Sequence, residues 1–385
     1  MASASANVIP YGRQSIDESD LRAVLEALQD PFLTQGPMVQ RFEEELARYV
    51  GAKYAVAVNS GTAALHAAYS ALSVGPGVTV ITTPISFVAT ANASLYLGGS
   101  VEFVDADPST GLMSLEALKR AKAGPGSVVA PVHLTGHPVY MPELQRIARE
   151  RGWRVVEDAA HALGASYRAD GREVAVGACA HSDLCEFSFH PVKHITTGEG
   201  GAITTNDESL YRAMVRFRSH GITRVPTELQ REEGAWYYEQ QDLGFNYRIT
   251  DFQCALGLSQ MRRLDEFVNR RRQIAARYAE EMKDIPGLAL PAEAEYAKSS
   301  YHLYAVRVSG SVRRAVFDRL RASGIGVNVH YIPIHQQPYY LARFGPQSFP
   351  AAEAYYTGTI SLPMYPGLDD DAQATVIAAV REALR

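Results

Sequence analysis

Short apolar runs alternate with helical patterns through the first half of the chain, and no other feature constrains the fold as strongly. Between the runs, apolar residues recur at helical spacing, as in Ala63–Leu72 and Glu143–Arg151. Alternating strands and helices form parallel strand pairs whose helices cover both faces of a sheet. We therefore predict an α/β fold with a mostly parallel sheet. The predicted strands are Tyr54–Val58, Val78–Thr82, Val101–Val104, Val128–Val132, Arg154–Glu157, Leu184–Phe189 and Ala202–Thr205.

Two helices are predicted ahead of this region. The second covers Val39–Tyr49, and the first follows the acidic pair Asp17 and Glu18, which suits a helix start. Its apolar residues recur at i, i+3, i+4 and i+7 and are Leu21, Val24, Leu25 and Leu28.

The pattern changes near residue 260, where short strands and helices begin to follow one another closely. These elements are a long helix over Met261–Ile285, strands over Leu303–Val308 and Ile325–His330, and helices over Val312–Arg321 and Ala372–Leu384. They predict a smaller α+β domain over 261–385, beside a large domain over 1–260.

Composition restricts the classes of function. The 385 residues carry a formal charge of −5, which gives no sign of binding to nucleic acid or to an anionic membrane. The N-terminal stretch lacks the apolar core of a signal peptide, and no run approaches 18 apolar residues, so we expect a cytoplasmic protein without a membrane span. Three widely spaced cysteines predict neither a disulfide framework nor a zinc site.

Two histidine pairs at i, i+4 raise the question of a metal site, since helical pairs at this spacing can bind zinc. They are His133 with His137 and His190 with His194. Prolines and a glycine interrupt both segments, and HExxH is absent. We therefore expect no metal.

Polar residues follow several predicted strands, at the sheet edge where ligands of such folds collect. The turn of VNSGTAAL, residues 58–65, places the amides of Thr62 and Ala63 at a helix start, which suits an anion, although an ordinary N-cap is the commoner explanation of such a turn taken alone. Asp158 ends an apolar strand and requires a partner, with His161 three residues later. The alternative makes Asp158 a helix N-cap and His161 a core residue.

Lys193 follows another strand, in a segment rich in glycine. A lysine amine with a lowered pKa forms imines with aldehydes, whereas most loop lysines are solvated charges. Ser188 lies five residues earlier and is a candidate phosphate donor. Phe87, at a further strand-to-helix turn, could stack on a flat ring or belong to the core.

Three segments, SGTAAL, EDAAHALGA and FSFHPVKHITTGEGGAITTND, resemble the nucleotide-sugar aminotransferases of the DegT/DnrJ/EryC1/StrS family in order and spacing. The resemblance extends from Phe32–Pro37 through Gly244–Gln260 to His330–Tyr340. It implies a fold-type I transferase that depends on pyridoxal 5′-phosphate.

The resemblance also implies roles for single residues. Lys193 would hold the cofactor as a Schiff base and move the proton. Asp158 would pair with the pyridine nitrogen, His161 would lie beside the phenolic oxygen and Phe87 would stack on the ring. The phosphate would be held by Thr62, Ala63 and Ser188, and by Asn246 of a second subunit. This implies a homodimer with shared active sites.

The stretches TTPISFVATAN, SHG at 219–221 and HYIPI are similar to those of family members in pseudaminic-acid biosynthesis. This implies transfer of the amino group of L-glutamate to C4 of a UDP-linked 4-keto-6-deoxy-N-acetylhexosamine. The products would be 2-oxoglutarate and UDP-4-amino-4,6-dideoxy-N-acetyl-β-L-altrosamine. The candidate substrate residues are His220, Arg248, His330, Tyr331 and His335.

Three alternatives stay open. One is 4-amination of the D-gluco 4-keto-6-deoxy sugar nucleotide, as in bacillosamine or legionaminic acid synthesis. Another is a different nucleotide-linked keto-sugar, including amination at C3. A different class of function is a sugar-binding or regulatory relative without catalysis, against which the presence of Lys193, Asp158 and Ser188 argues.

Overall fold

The computed structural model describes residues 8–385 of the chain. The prediction that the N-terminus carries no signal peptide concerns residues 1–7 in part, and these lie outside the described residues. The α-helices are α1 Glu18–Gln29, α2 Pro37–Val50, α3 Gly61–Ala71, α4 Ala89–Tyr96, α5 Leu115–Leu118, α6 Met141–Arg151, α7 Glu208–Phe217, α8 Asp251–Met261, α9 Leu264–Met282, α10 Arg313–Ala322, α11 Pro338–Phe344, α12 Pro350–Gly358 and α13 Asp370–Ala383.

Within residues 8–385, fourteen strands form one large and three small sheets. The strands are β1 Tyr54–Val58, β2 Thr79–Thr82, β3 Ser100–Phe103, β4 Val128–Ala130, β5 Arg154–Asp158, β6 Ser166–Ala169, β7 Arg172–Ala175, β8 Leu184–Ser188, β9 Gly201–Thr205, β10 Ile222–Thr223, β11 Glu239–Gln240, β12 Ala297–Lys298, β13 Tyr304–Arg307 and β14 Thr359–Leu362. Short 3₁₀ turns occur at Leu134–Gly136, Pro226–Glu228 and Ile334–Gln336.

The large sheet has seven strands in the order β1-β9-β8-β5-β4-β2-β3. Strand β9 is antiparallel to both of its neighbours, and the other pairings are parallel. The predicted α/β class with a mostly parallel sheet is confirmed. The sequence pattern did not reveal the reversed direction of β9, because a buried antiparallel strand is as apolar as its parallel neighbours.

Helices cover both faces of this sheet, as the buried residues show. Along β1, Ala55 and Ala57 face one apolar cluster with α2, α6 and α8, whereas Val56 and Val58 face another with α3, α4 and α7. Successive strand residues point to opposite faces, so a strand buried on both sides has to be apolar throughout. Each fully buried Val, Leu or Phe contributes about 1.5–3 kcal/mol to this packing.

The C-terminal part of the chain has a cluster of its own around the antiparallel pair β13–β14. Helix α9 contributes Leu264 and Phe267 to the large cluster and Ile274 and Tyr278 to the C-terminal one. The division at residue 260/261 stays a prediction.

Two predicted elements of this region are wrong. The long helix starts at Leu264 and not at Met261, because the helical conformation is interrupted at Arg263. The side chain of Arg263 binds Asp17 at 2.8 Å and also Asp20. The predicted strand Ile325–His330 does not form. Ile325 pairs with Ile9 and Asn328 with Ser361 through isolated bridges, so no continuous ladder develops.

Helix α1 forms as predicted, and Asp17 caps it by accepting from the amides of Ser19 and Asp20. Its apolar stripe is exposed, however. Leu21, Leu25 and Leu28 are 53%, 61% and 49% exposed, and the helix packs against α8 with a neighbouring side that carries the buried Asp20 and Ala27. In residues 8–385, no helix combines the length and apolar character needed to cross a membrane.

Gly201, at the start of β9, lets the sheet approach the beginning of α3. A Cβ atom there would lie 2.6 Å from the carbonyl carbon of Ser60 and 2.7 Å from the amide nitrogen of Gly61. We expect Gly201→Ala to reduce the free energy of unfolding by about 1–3 kcal/mol, because the contact is with backbone that cannot rotate away. Urea unfolding measures the change. Gly124→Ala is the control, since a Cβ there meets nothing within 4 Å. Equal effects of the two changes would contradict this account.

Candidate active site

A cavity of about 530 Å³ opens at the carboxyl ends of β1, β5 and β8. Its walls include Ser60–Thr62 and Ser188 on one side and Asp158 on another. The C-terminal part of the chain contributes His302 and Asn328–Tyr331. This is the sheet edge at which the sequence predicts a site.

Lys193 lies in the turn that leads from β8 to β9, where its amide donates to the carbonyl of His190 at 2.9 Å. The chain has six lysines, and the other five are exposed: Lys53, Lys119, Lys122, Lys283 and Lys298. Lys193 is partly accessible, from the cavity. Burial lowers the pKa of its amine to about 8. A substantial fraction of the amine is therefore uncharged and nucleophilic near neutral pH.

Asp158 is the last residue of β5, and it is buried. Its Oδ2 accepts from Thr90 Oγ1 at 2.5 Å, and its Oδ1 accepts from the amide of Ala160 at 3.3 Å. The chain runs from Asp158 to the next strand, β6, without forming a helix. The alternative that made Asp158 a helix N-cap is therefore wrong. The carboxylate is held in place by the start of α4 and faces the cavity.

His161 makes both of its ring hydrogen bonds within the chain. The amide of Thr135 donates to Nδ1 at 3.3 Å, and Nε2 lies 2.9 Å from the hydroxyl oxygen of Tyr331. Burial holds the pKa of His161 well below its usual value, so the ring is uncharged. Because a backbone amide only donates, the ring proton is on Nε2 and is donated to Tyr331. The hydroxyl proton of Tyr331 is then free for another acceptor.

The start of α3 provides an anion site. Ser60 caps the helix by accepting from the amide of Ala63 at 3.1 Å, so this amide is already used and Ala63 does not line the cavity. Thr62 and Ser188 do line it. A Cβ on Gly61 would lie 3.0 Å from the Cβ of Ser188, so glycine is what permits this close approach. The free amides and the positive end of the helix favour a phosphate here.

Phe87 is 57% exposed at the wall of the cavity, with its ring centroid 6.1 Å from that of Tyr331. The sequence allowed Phe87 either to stack on a ring or to belong to the core, and its exposure shows that the core position is wrong. An exposed ring at this place offers a flat apolar face to a ligand.

The sequence did not reveal several cavity residues. The most unusual is Glu186, a buried carboxyl group in the middle of β8. Burial and the neighbouring Asp158 raise the pKa of Glu186 well above its usual value. A charged residue within an otherwise apolar strand was the available signal, since such a group requires a partner. Tyr11, Asn328 and His302 also line the cavity, and nothing in their local sequence marks them.

Three predicted residues lie outside this cavity in the single chain. Asn246 is exposed and pairs with Ser219 through an isolated bridge. His220 is also exposed. Arg248 lines a separate depression between α2 and α7, together with Arg218. The structure therefore does not bring these three to Lys193.

The residues of the HYIPIH segment, 330–335, lie in two different places. His330 and Tyr331 line the cavity, and His330 is held by a 2.8 Å hydrogen bond between its Nδ1 and Ser361 Oγ. His335 is buried elsewhere, with Nε2 donating to Glu353 at 3.1 Å. It does not line the cavity.

The pair His133 and His137 is occupied by other contacts. Both ring nitrogens of His133 bond inside the chain, to Glu157 and to the amide of Val139. Those of His137 bond to the carbonyl of Pro138 and the amide of Ala294. Within residues 8–385, no three His, Cys, Asp or Glu side chains converge as metal ligands do.

Comparison with known proteins gives consistent matches over the whole length. The profile of the DegT/DnrJ/EryC1/StrS aminotransferase family matches residues 14–381. The spore coat polysaccharide biosynthesis protein SpsC of Bacillus subtilis is 38% identical, over 98% of this chain and 97% of the relative. The UDP-4-amino-4,6-dideoxy-N-acetyl-beta-L-altrosamine transaminase of Campylobacter jejuni is 37% identical, over 93% of each chain.

A solved structure is similar as well. Helicobacter pylori PseC, an aminotransferase of pseudaminic-acid biosynthesis, superposes with a TM-score of 0.90 at 31% identity, covering 98% of this chain and 99% of the other. Sequence and structure thus point to the same family.

The lowered pKa of Lys193 predicts its chemical reactivity. In the ligand-free protein, acylation of Lys193 should rise with a midpoint near pH 8, where about half of the amine is uncharged. Lys283 is the control, because the hydrogen bond to Glu280 raises the pKa of its amine, which therefore stays charged at pH 8. Isotope-coded labelling with peptide mass spectrometry gives both profiles. A Lys193 midpoint as high as that of Lys283 would contradict the prediction.

Proposed function

The chain belongs to the DegT/DnrJ/EryC1/StrS aminotransferase family, and we propose that it is a nucleotide-sugar aminotransferase that uses pyridoxal 5′-phosphate. The proposal rests on Lys193. This lysine lines the cavity, its amine has a pKa of about 8, and Asp158 lies in the same cavity.

The residues of the cavity fit this cofactor. Lys193 offers an amine to the aldehyde, and Asp158 offers a buried carboxylate to the ring nitrogen. Thr62 and Ser188 flank the helix start that suits the phosphate, and Phe87 offers a flat face to the ring. When bound, pyridoxal phosphate supplies an electron sink that stabilises negative charge on the carbon bearing the amino group.

Lys193 would serve as both base and acid. Its amine can take the proton from the carbon that bears the amino group of the donor, and it can return a proton in the second half of the reaction. A pKa of about 8 suits both directions, because proton transfer is most efficient when the pKa lies near the working pH. The uncharged His161 orients Tyr331, whose free hydroxyl proton can hydrogen bond to an oxygen in the cavity.

For the substrates, we propose L-glutamate as donor and a UDP-linked 4-keto-6-deoxy-N-acetylhexosamine as acceptor, aminated at C4. The names of the Campylobacter jejuni relative and of PseC support this choice, and so does the position of His330 and Tyr331 in the cavity wall. The product would be UDP-4-amino-4,6-dideoxy-N-acetyl-β-L-altrosamine.

We further propose a homodimer in which each cavity is completed by the partner. Asn246, which the family resemblance assigns to the cofactor phosphate, lies away from the cavity of its own chain. Leu243, three positions before it in the chain, is 82% exposed, and the leucine stripe of α1 is exposed as well. Large exposed apolar surface is typical of a protein interface.

The central test of the activity is Lys193→Ala. We expect this change to lower the rate of 2-oxoglutarate formation from L-glutamate by at least about a thousandfold, because it removes both the nucleophile and the base. The fold should persist, as circular dichroism can verify. Lys298→Ala is the control, since that lysine is exposed and pairs with Glu173 on the surface. A Lys193→Ala protein with the wild-type rate would overturn the assignment.

The sugar substrate requires a panel of UDP-linked 4-keto-6-deoxy sugars in the L-altro and D-gluco series. We expect amination of the L-altro precursor at C4, identified by NMR of the product. Turnover of the D-gluco ketone alone would contradict the altrosamine assignment and would leave amino transfer intact. Turnover of neither sugar, with a normal glutamate reaction, would place the acceptor outside this class.

Shared active sites can be tested by coexpressing Lys193→Ala with Asn246→Ala. A mixed dimer would contain one site with both changes and one site with neither. Random pairing should therefore restore about a quarter of the wild-type sites, although each variant alone is impaired. Light scattering checks that the protein is dimeric. Activity no greater than the mean of the two variants would contradict shared sites.

A further inference from the structure

Glu186 lies at the centre of β8 and is 1% exposed. Its two carboxyl oxygens accept no hydrogen bond from any group in the described chain. Its side chain shares a face of the strand with Leu184 and Ser188, toward α3 and the cavity. An ionised carboxylate without a partner is costly to bury, so the group must be protonated or paired with a cation.

The surroundings of Glu186 distinguish these two cases. On β5, Asp158 is its register partner, so the two carboxyl groups lie side by side on one face of the sheet, and both line the cavity. The turn after β8 contributes Lys193, and α3 contributes Tyr69. The hydroxyl of Tyr69 donates to the carbonyl of Thr90 and is not available to Glu186. On the other side, β9 contributes Ile203, and β8 itself contributes Cys185.

Two carboxylates cannot hydrogen bond to each other unless one keeps its proton. Asp158 already accepts hydrogen bonds from Thr90 and Ala160, whereas Glu186 has no such donor. One cation, Lys193, cannot neutralise both groups. The shared proton therefore belongs to Glu186.

We propose that Glu186 is a positioning residue that remains protonated and donates its hydrogen bond to Asp158. The role toward the cofactor rests on the proposed function. Asp158 then has three donors, which fix its orientation toward a ring nitrogen. Gly61 makes this arrangement possible, because a Cβ there would lie 2.6 Å from Oε1 of Glu186.

Infrared difference spectroscopy of the cofactor-free protein tests the protonation directly. At neutral pH, wild-type protein should show the carbonyl band of a protonated buried carboxyl group, and Glu186→Gln should lack it. Asp158→Asn should keep the band at a shifted frequency, because the acceptor changes. The proposal would be overturned if the wild-type protein showed no such band, or if Glu186→Gln still showed it. This result would not affect the proposed function, which is judged by turnover.

The pKa of Lys193 separates the protonated acid from an ion pair. A neutral Glu186 predicts that Glu186→Gln leaves the acylation midpoint of Lys193 within about 0.3 pH units of wild type. If Glu186 were instead ionised and paired with Lys193, the change would lower the midpoint by about one unit or more. That outcome would also overturn the proposal.

The positioning role predicts a contrast in cofactor affinity between two variants. Glu186→Gln keeps a donor to Asp158, so its Kd for pyridoxal phosphate should stay within about threefold of wild type. Glu186→Leu removes the donor, and its Kd should rise about tenfold or more, as expected for a hydrogen bond to a charged group. Thermal unfolding of the cofactor-free variants verifies the fold. Equal affinities of a folded Glu186→Leu variant and wild type would show that the hydrogen bond does not position Asp158.

Discussion

The reversal of the chain between β8 and β9 is the constraint on which the site depends. Strand β9 returns antiparallel beside β8, so residues 189–200 must turn back over the carboxyl edge of the sheet. Hydrogen bonds from Phe189 to Gly200 and from Thr197 to Phe189 close this turn. Lys193 is thereby held above the end of β5, where Asp158 lies. The parallel strands on one side and the reversed strand on the other bring the amine and the carboxylate to one cavity.

Burial then decides the charges within the cavity. Two histidines that line it, His161 and His302, have pKa values well below the usual one, chiefly because they are desolvated. The nearby guanidinium of Arg271, which donates to main-chain carbonyls, disfavours a further positive charge. The cavity thus combines uncharged imidazoles, an amine near its titration point and a pair of carboxyl groups. Such a set can move protons at neutral pH.

The sequence predicts the parts of this site that lie at strand ends, because a strand followed by small or polar residues leaves a local pattern. Lys193, Asp158, Ser188, Thr62 and Phe87 were identified in this way, and all line one cavity. Contacts between distant segments leave no such pattern. The hydrogen bond from His161 to Tyr331 joins residues 170 positions apart, and the Glu186–Asp158 contact depends on strand order. The exposed stripe of α1 has the same periodicity as a buried one, and single bridges replace the strand expected at Ile325–His330.

The central claim is that Lys193 is the residue that binds the cofactor aldehyde, and reductive trapping tests it most directly. Protein loaded with pyridoxal phosphate is treated with borohydride, digested and mapped by mass spectrometry. The account predicts that the phosphopyridoxyl group is attached to Lys193, in stoichiometric yield and with little on the five exposed lysines. Attachment to those surface lysines instead, or no attachment at all, would contradict it.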